Sequence, residues 1–189
     1  MGLFGWIVLA VVAIVLVYGI AIYNSLVRLR ALVREGFSGI TVQLRRRADL
    51  VPNLVSTVEG YATHEREVLD QVTAHRADSI KASGVQATAQ ADNAFSAVLG
   101  RLIAVAEAYP DLKADANFRQ LQTELTQIEE ELQGARRYYN ATVRDLNTSI
   151  QSFPNVLMAR PLGFSEEPFY QDDDASIQSA PKVTFGAAR

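Results

Sequence analysis

Hydrophobic and polar positions along this chain fall into three patterns, each predicting a helix of a different kind. From Leu3 to Tyr23 the side chains are uncharged and predominantly apolar, and no charged residue precedes Arg28. At a rise of ~1.5 Å per residue, roughly 20 helical residues match the ~30 Å hydrocarbon core of a bilayer. Residues 1–23 therefore read as a transmembrane anchor. A cleaved signal peptide would need a basic leader, a shorter apolar core and a small-x-small cleavage site, and the sequence has none of these. Myristoylation at Gly2 is excluded, because Trp6 stands where Ser or Thr is needed. Arg28, Arg30 and Arg34 follow the span, and positive residues are retained on the cytoplasmic side. The expected topology is a short outside N-terminus and a cytoplasmic C-terminal domain.

The second pattern starts directly after the anchor. Leu26, Leu29, Val33, Phe37, Ile40, Leu44, Ala48, Val51, Val55, Val58 and Ala62 recur at steps of three and four, drawing one stripe on a helix. No turn signal separates Tyr23 from Leu26, so the membrane helix is expected to continue into the domain as a stalk. Gly36, Gly39 and Pro52 weaken it. The apolar phase survives across Pro52, which predicts a kink near Asp49 to Asn53 rather than a loop. The helix is expected to run through Glu59 to about Lys81, with Tyr61, Val68, Val72 and Ala77 or Ile80 inward, until Ser83-Gly84 stops it. A third helix is expected from about Ala87 to Tyr109, with Phe95, Val98, Leu102 and Val105 on one face, ended by Pro110-Asp111.

The third pattern is the most regular. Phe118, Leu121, Leu125, Ile128, Leu132, Ala135, Tyr139, Val143, Leu146, Ile150 and Phe153 form a narrow stripe, with Glu129, Glu130, Arg136 and Arg137 among the charges between. So long and narrow a stripe packs against another long helix, as in a coiled coil. Pro154 closes it. Short connections between long amphipathic helices make neighbours antiparallel. The expected fold class is all-α: an up-and-down antiparallel bundle over residues 24–153 on an N-terminal transmembrane helix. Residues 154–189, with four prolines and the acidic run Asp172 to Asp174, read as an extended or disordered tail. The aromatics between Phe153 and Tyr170 suit packing back onto the bundle.

Composition narrows the function. Beyond the anchor, about 165 residues make one domain with a real core. A net charge of -3 provides no basic field for nucleic acid. The absence of cysteine excludes disulfides, thiolate chemistry and cysteine-ligated metals.

Candidate chemistry is sparse. His64-Glu65-Arg66-Glu67-Val68 begins like a zinc-protease helix, but Val68 stands where the second histidine is required. Tyr61 and Val72, three residues before His64 and His75, break the Glu-x-x-His pattern of di-iron bundles. No metal or cofactor is expected. Arg45, Arg46 and Arg47 are about 100° apart on a helix, so at least one must approach the core and pair with Asp49 or a carboxylate on a neighbouring helix. Interhelical ion pairing is the leading reading, ahead of an anion or lipid-headgroup site. The cluster lies roughly 33 Å beyond the membrane along a straight helix, where surface potential is largely screened. Asn53 is expected to hydrogen-bond backbone left unpaired by Pro52, and Tyr139 with Asn140 to form a core aromatic with a polar edge. No phosphate loop, nucleophile elbow or carboxylate dyad appears.

Several segments resemble one family. They are Tyr23-Asn24-Ser25-Leu26-Val27-Arg28, the run Val42 to Val55 with its Arg-Arg-x-Asp-Leu-x-Pro-Asn-Leu core, Gly60-Tyr61-Ala62-Thr63-His64-Glu65, Tyr109-Pro110-Asp111-Leu112, Arg136 to Asn140, Phe153-Pro154 and Gly163-Phe164. Together they are similar to the LemA family of bacterial membrane proteins, over nearly the whole chain except the final tail. The resemblance implies a single-pass anchor in the bacterial plasma membrane with the N-terminus outside, carrying a bundle of long antiparallel helices. It carries over no catalytic residues.

The expected function is a non-enzymatic, membrane-anchored scaffold or interaction protein, with the lipid bilayer and either further copies of itself or other membrane proteins as partners. The alternative is an anion or small-ligand sensor, or an enzyme, built from Arg45 to Asp49 and His64-Glu65 around the kinked helix.

Overall fold

The computed structural model describes residues 2–62 and 64–170, which form six helices and no strand. Helix α1, Leu3–Glu59, is one unbroken helix of 57 residues, about 85 Å long at ~1.5 Å per residue. It is long and apolar enough to cross a membrane. Its first turns expose their apolar side chains, whereas from Ile22 onward Leu26, Val33, Ile40, Leu44, Ala48, Val51 and Val58 are buried. One helix thus changes near Tyr23 from apolar on all sides to amphipathic.

The expected continuation to Lys81 does not occur. α1 stops at Glu59, and α2 begins only at Arg66, running to Lys81. Gly60 lacks both helix propensity and a side chain to pack, and the new helix restarts the phase. Tyr61, expected inward, is exposed, and Leu69 and Val72 become the buried positions of α2.

α1 passes through Pro52 without a loop. Proline has no N–H, so the Ala48 carbonyl, four residues back, loses its intrahelical donor. α2 supplies a replacement: Arg76 Nε donates to the Ala48 carbonyl at 2.6 Å. The expectation that Asn53 fills this role is corrected. Asn53 lies five residues from Ala48, about 140° around the helix, and its side chain is exposed.

Helix α3, Val85–Glu107, follows Gly84, whose φ of +81° lies in the left-handed region that glycine enters without strain. The short α4, Pro110–Ala114, leads to α5, Ala116–Gln151. The Asp115 side chain caps α5 by accepting from the Phe118 N–H at 2.9 Å, a contact worth about 1 kcal/mol.

α5 runs antiparallel to α1. Asp115 meets Tyr61, Glu131 meets Arg46, Tyr139 lies against Gly36, and beyond α5 Met158 lies against Gly19. Gly36 makes the close approach possible, since a Cβ there would sit 3.0 Å from Tyr139 Cα. The core has two parts. One, far from the anchor, joins α1 to α2, α3, α4 and the start of α5 through Val51, Val58, Val72, Phe95, Leu102 and Phe118. The other, nearer the anchor, joins α1 to the rest of α5 through Leu26, Ile40, Leu132, Tyr139 and Leu146.

Phe153, expected as the last member of the α5 stripe, is 81% exposed, because the helix has already ended at Gln151. Helix α6, Asn155–Ala159, then turns the chain back, and residues 160–170 pack on the bundle with Phe164 and Tyr170 buried. The acidic run Asp172 to Asp174 lies outside the described residues.

Candidate functional site

The three arginines that share no helical face go to three destinations. Arg45 pairs with Asp49 one turn on at 3.3 Å, with both side chains more than half exposed. Arg46 reaches Glu131 of α5 and Gln43 of its own helix. Arg47 turns inward and is fully buried.

Arg47 donates through Nη2 to Asp92 Oδ1 at 2.5 Å, and through Nη1 to Ser96 Oγ at 2.9 Å and Glu129 Oε1 at 2.8 Å. Its guanidinium also lies 5.0 Å from the Phe95 ring centroid. Asp92, fully buried on α3, is the hub. Its Oδ2 accepts from Arg136 of α5 and from the Tyr170 hydroxyl, the latter at 2.6 Å. Burial alone would push the Asp92 carboxyl up, but the Arg47 and Arg136 charges, with hydrogen bonds from Tyr170 and Arg136, together hold it below the ordinary carboxylate range. Burial, followed by the adjoining Asp92 carboxylate, raises the Tyr170 phenol far above its usual value.

The cluster therefore ties three helices and the C-terminal segment to one carboxylate. Asp92 was not singled out from the sequence, although a signal existed. It stands three residues before Phe95 and in phase with Leu99, Leu102 and Ala106 on the buried face of α3, and a lone acid on an apolar stripe requires a buried cation.

Tyr139 and Asn140 belong to a second feature. Tyr139 is fully buried between Phe37 and Tyr170 and donates to the Pro168 carbonyl at 2.8 Å. Burial, then the Glu167 charge, pushes its phenol up to about 12. Asn140 forms a two-way amide pair with the backbone of Tyr170, donating to its carbonyl at 3.0 Å and accepting from its N–H at 2.8 Å. Asn147, two helical turns on, does the same with Glu167 at 2.9 Å in both directions. Two asparagines spaced by seven on one helix face thus read an extended backbone as a neighbouring strand would.

The other candidate residues fall elsewhere. Pro52 and Asn53 are exposed on α1. Tyr61 reaches Asp115 at 3.4 Å. His64 and Glu65 lie in the α1–α2 connection, and 12 residues separate Arg47 from the end of α1, roughly 18 Å along the axis. The polar groups around Arg45 to Asp49 and around His64 are therefore not brought into one pocket. Arg46, Asp49 and Asn53 line a shallow groove of about 360 Å³ together with Glu124 and Gln127. Its two carboxylates, and the commitment of Arg46 to Glu131, oppose anion capture.

The model of the LemA family matches residues 36–185. The chain belongs to the LemA family. Among similar proteins, magnetosome protein MamQ 2 of Paramagnetospirillum magneticum is 25% identical, with 81% of this chain and 66% of the relative covered. Magnetosome protein MamQ of Magnetospirillum gryphiswaldense is 24% identical with the same coverage. Protein LemA of Metamycoplasma hominis is 28% identical, covering 78% of this chain and 68% of the relative. The chain thus spans just under two thirds of the length of the MamQ relatives. The family match includes Arg47, Asp92, Arg136 and Tyr170, so the cluster lies wholly within the LemA region.

Proposed function

We propose that this LemA-family protein is a non-catalytic, membrane-anchored scaffold whose bundle self-associates or holds another membrane protein in a bacterial membrane assembly. The observation that carries this reading is the unbroken α1, which joins an exposed apolar span to the bundle core with no hinge. Movement or association of the anchor is thereby transmitted directly to the bundle. The buried cluster supports the same reading, because Arg47, Arg136 and Tyr170 converge on Asp92 and lock three helices and the C-terminal segment into one shape. Relatives named as magnetosome proteins favour a role in an assembly. Arg28, Arg30 and Arg34 favour a cytoplasmic bundle in the plasma membrane with the N-terminus outside.

Chemical crosslinking in intact cells tests the scaffold. The expected product is a discrete homo-oligomer or a reproducible adduct with another membrane protein, and capture of neither would refute the proposal. Inserting a flexible Gly-Ser linker after Asn24 should impair function without unfolding the bundle. Full function would reduce the span to a tether.

A further inference from the structure

Helix α6 lies beside the last turns of the span, with the end of α5 beside the start of the amphipathic part of α1. A Cβ on Gly19 would lie 2.9 Å from Met158 Cε, and Ile22 and Ala159 are buried in the same core. Gly19 precedes Tyr23 by four residues, so Met158 sits roughly 6 Å inside the end of the apolar segment. In this turn Phe153 is 81%, Leu157 66% and Val156 41% exposed. Residues 146–159 carry no charged side chain, although Asp145 and Arg160 bound them on either side. Large apolar side chains clustered at one end of a domain are not left to water without reason.

We propose that the α5–α6 turn is a second membrane contact, in which Phe153, Val156 and Leu157 insert among the acyl chains of the leaflet that holds the C-terminal end of the span. The depth of Met158 points to lipid as the occupant, since an exposed side chain at that level leaves the aqueous phase when α1 spans. Arg160 after the turn and Arg28 after the span then lie at headgroup level, where cationic side chains meet lipid phosphates. Arg30 at that level stacks on Phe164, 4.5 Å from its ring centroid, and Tyr23 meets the same ring edge-on at 5.7 Å. This joins the C-terminal segment to the interfacial belt. A single helix leaves the bundle free to tilt and spin; a second contact on the α5 side fixes its orientation to the bilayer. Insertion of the turn rests on α1 being a membrane anchor.

The chain has no cysteine, so single nitroxide labels can be placed at Leu157→Cys, Val12→Cys in the span and Val42→Cys on the exposed stalk. The full-length variants are reconstituted in vesicles of phosphatidylcholine and phosphatidylglycerol, and collisions with oxygen and with a water-soluble nickel chelate are compared. The label at 157 should resemble that at 12, with oxygen favoured several-fold over nickel, and that at 42 should show the reverse. A lipid-facing label at 12 with a nickel-accessible label at 157 overturns the second contact alone. A label at 157 shielded from both reagents means a protein covers the turn, and also overturns it. A nickel-accessible label at 12 overturns the anchor and the inference together. Phe153→Trp in a Trp6→Phe background provides a label-free check: brominated acyl chains should quench it, and an unquenched, water-exposed emission would contradict the insertion.

Discussion

Asp92→Asn isolates the charge of the central carboxylate while keeping its shape. Arg47 and Asp92 have fully buried side chains, and Arg136 is 9% exposed. The substitution therefore leaves two guanidiniums in the interior, with Glu129, itself 37% exposed, still paired to Arg47. Removing one partner of a buried ion pair costs about 3–5 kcal/mol, because the remaining charge stays desolvated. Domains of this kind are stable by only about 5–15 kcal/mol. At about 2–4 °C per kcal/mol for a chain of this size, the expected fall in Tm is about 6–20 °C, measured by far-UV circular dichroism on the detergent-solubilised full chain. Tyr170→Phe removes one hydrogen bond to a charged acceptor and should cost about 1.5–3 kcal/mol. In the Asp92→Asn background it should cost markedly less, because the charge it served has gone. The sign with pH follows from the depressed carboxyl. Its contribution is present above its ordinary value of 3.8 and is lost as pH falls through the lower folded value. The wild type should therefore lose stability below about pH 4 more steeply than Asp92→Asn. A Tm within ~2 °C of wild type, with unchanged acid sensitivity, would refute the cluster as an energetic hub.

Single contacts elsewhere in the bundle can be tested in the same way. Arg76→Met strands the Ala48 carbonyl and should cost about 1–3 kcal/mol; in a Pro52→Ala background, where the restored N–H takes that carbonyl, most of the loss should vanish in denaturant titrations. Gly36→Ala should destabilise by about 1–3 kcal/mol, through a Cβ 3.0 Å from Tyr139 Cα. Gly39→Ala, whose Cβ meets only Ala135 at 3.9 Å, should be neutral or stabilising by up to about 1 kcal/mol. Asn140→Ala with Asn147→Ala removes four hydrogen bonds to the segment ending at Tyr170, and limited proteolysis should then cut between Arg160 and Tyr170 before the bundle. Equal protection of variant and wild type would argue against the clamp.

Periodicity made most of the fold legible. The stripe of α5 from Phe118 to Ile150 and the stripe of α1 from Leu26 to Val58 are buried much as their spacing required. It failed at Gly60, where a coincidence of phase carried the apolar stripe across a real break and left Tyr61 on the wrong side. Part of the candidate site was legible too. Angular spacing required one of Arg45, Arg46 and Arg47 to turn inward, and Arg47 does.

What the sequence determined by itself is local: an uncharged span, helical faces repeating every three or four residues, a proline that must strand one carbonyl, and an arginine run that cannot stay wholly outside. These follow from chain geometry and solvation within a few turns. The tertiary structure alone decided which group answers each demand. Asp92 answers Arg47 from 45 residues away, Arg76 answers Pro52 through the Ala48 carbonyl, and Asn140 and Asn147 take up the backbone of Glu167 and Tyr170. A helical face specifies that a buried charge or orphaned carbonyl needs a partner. The partner itself is set by helix crossing and register, which arise only when the whole chain packs.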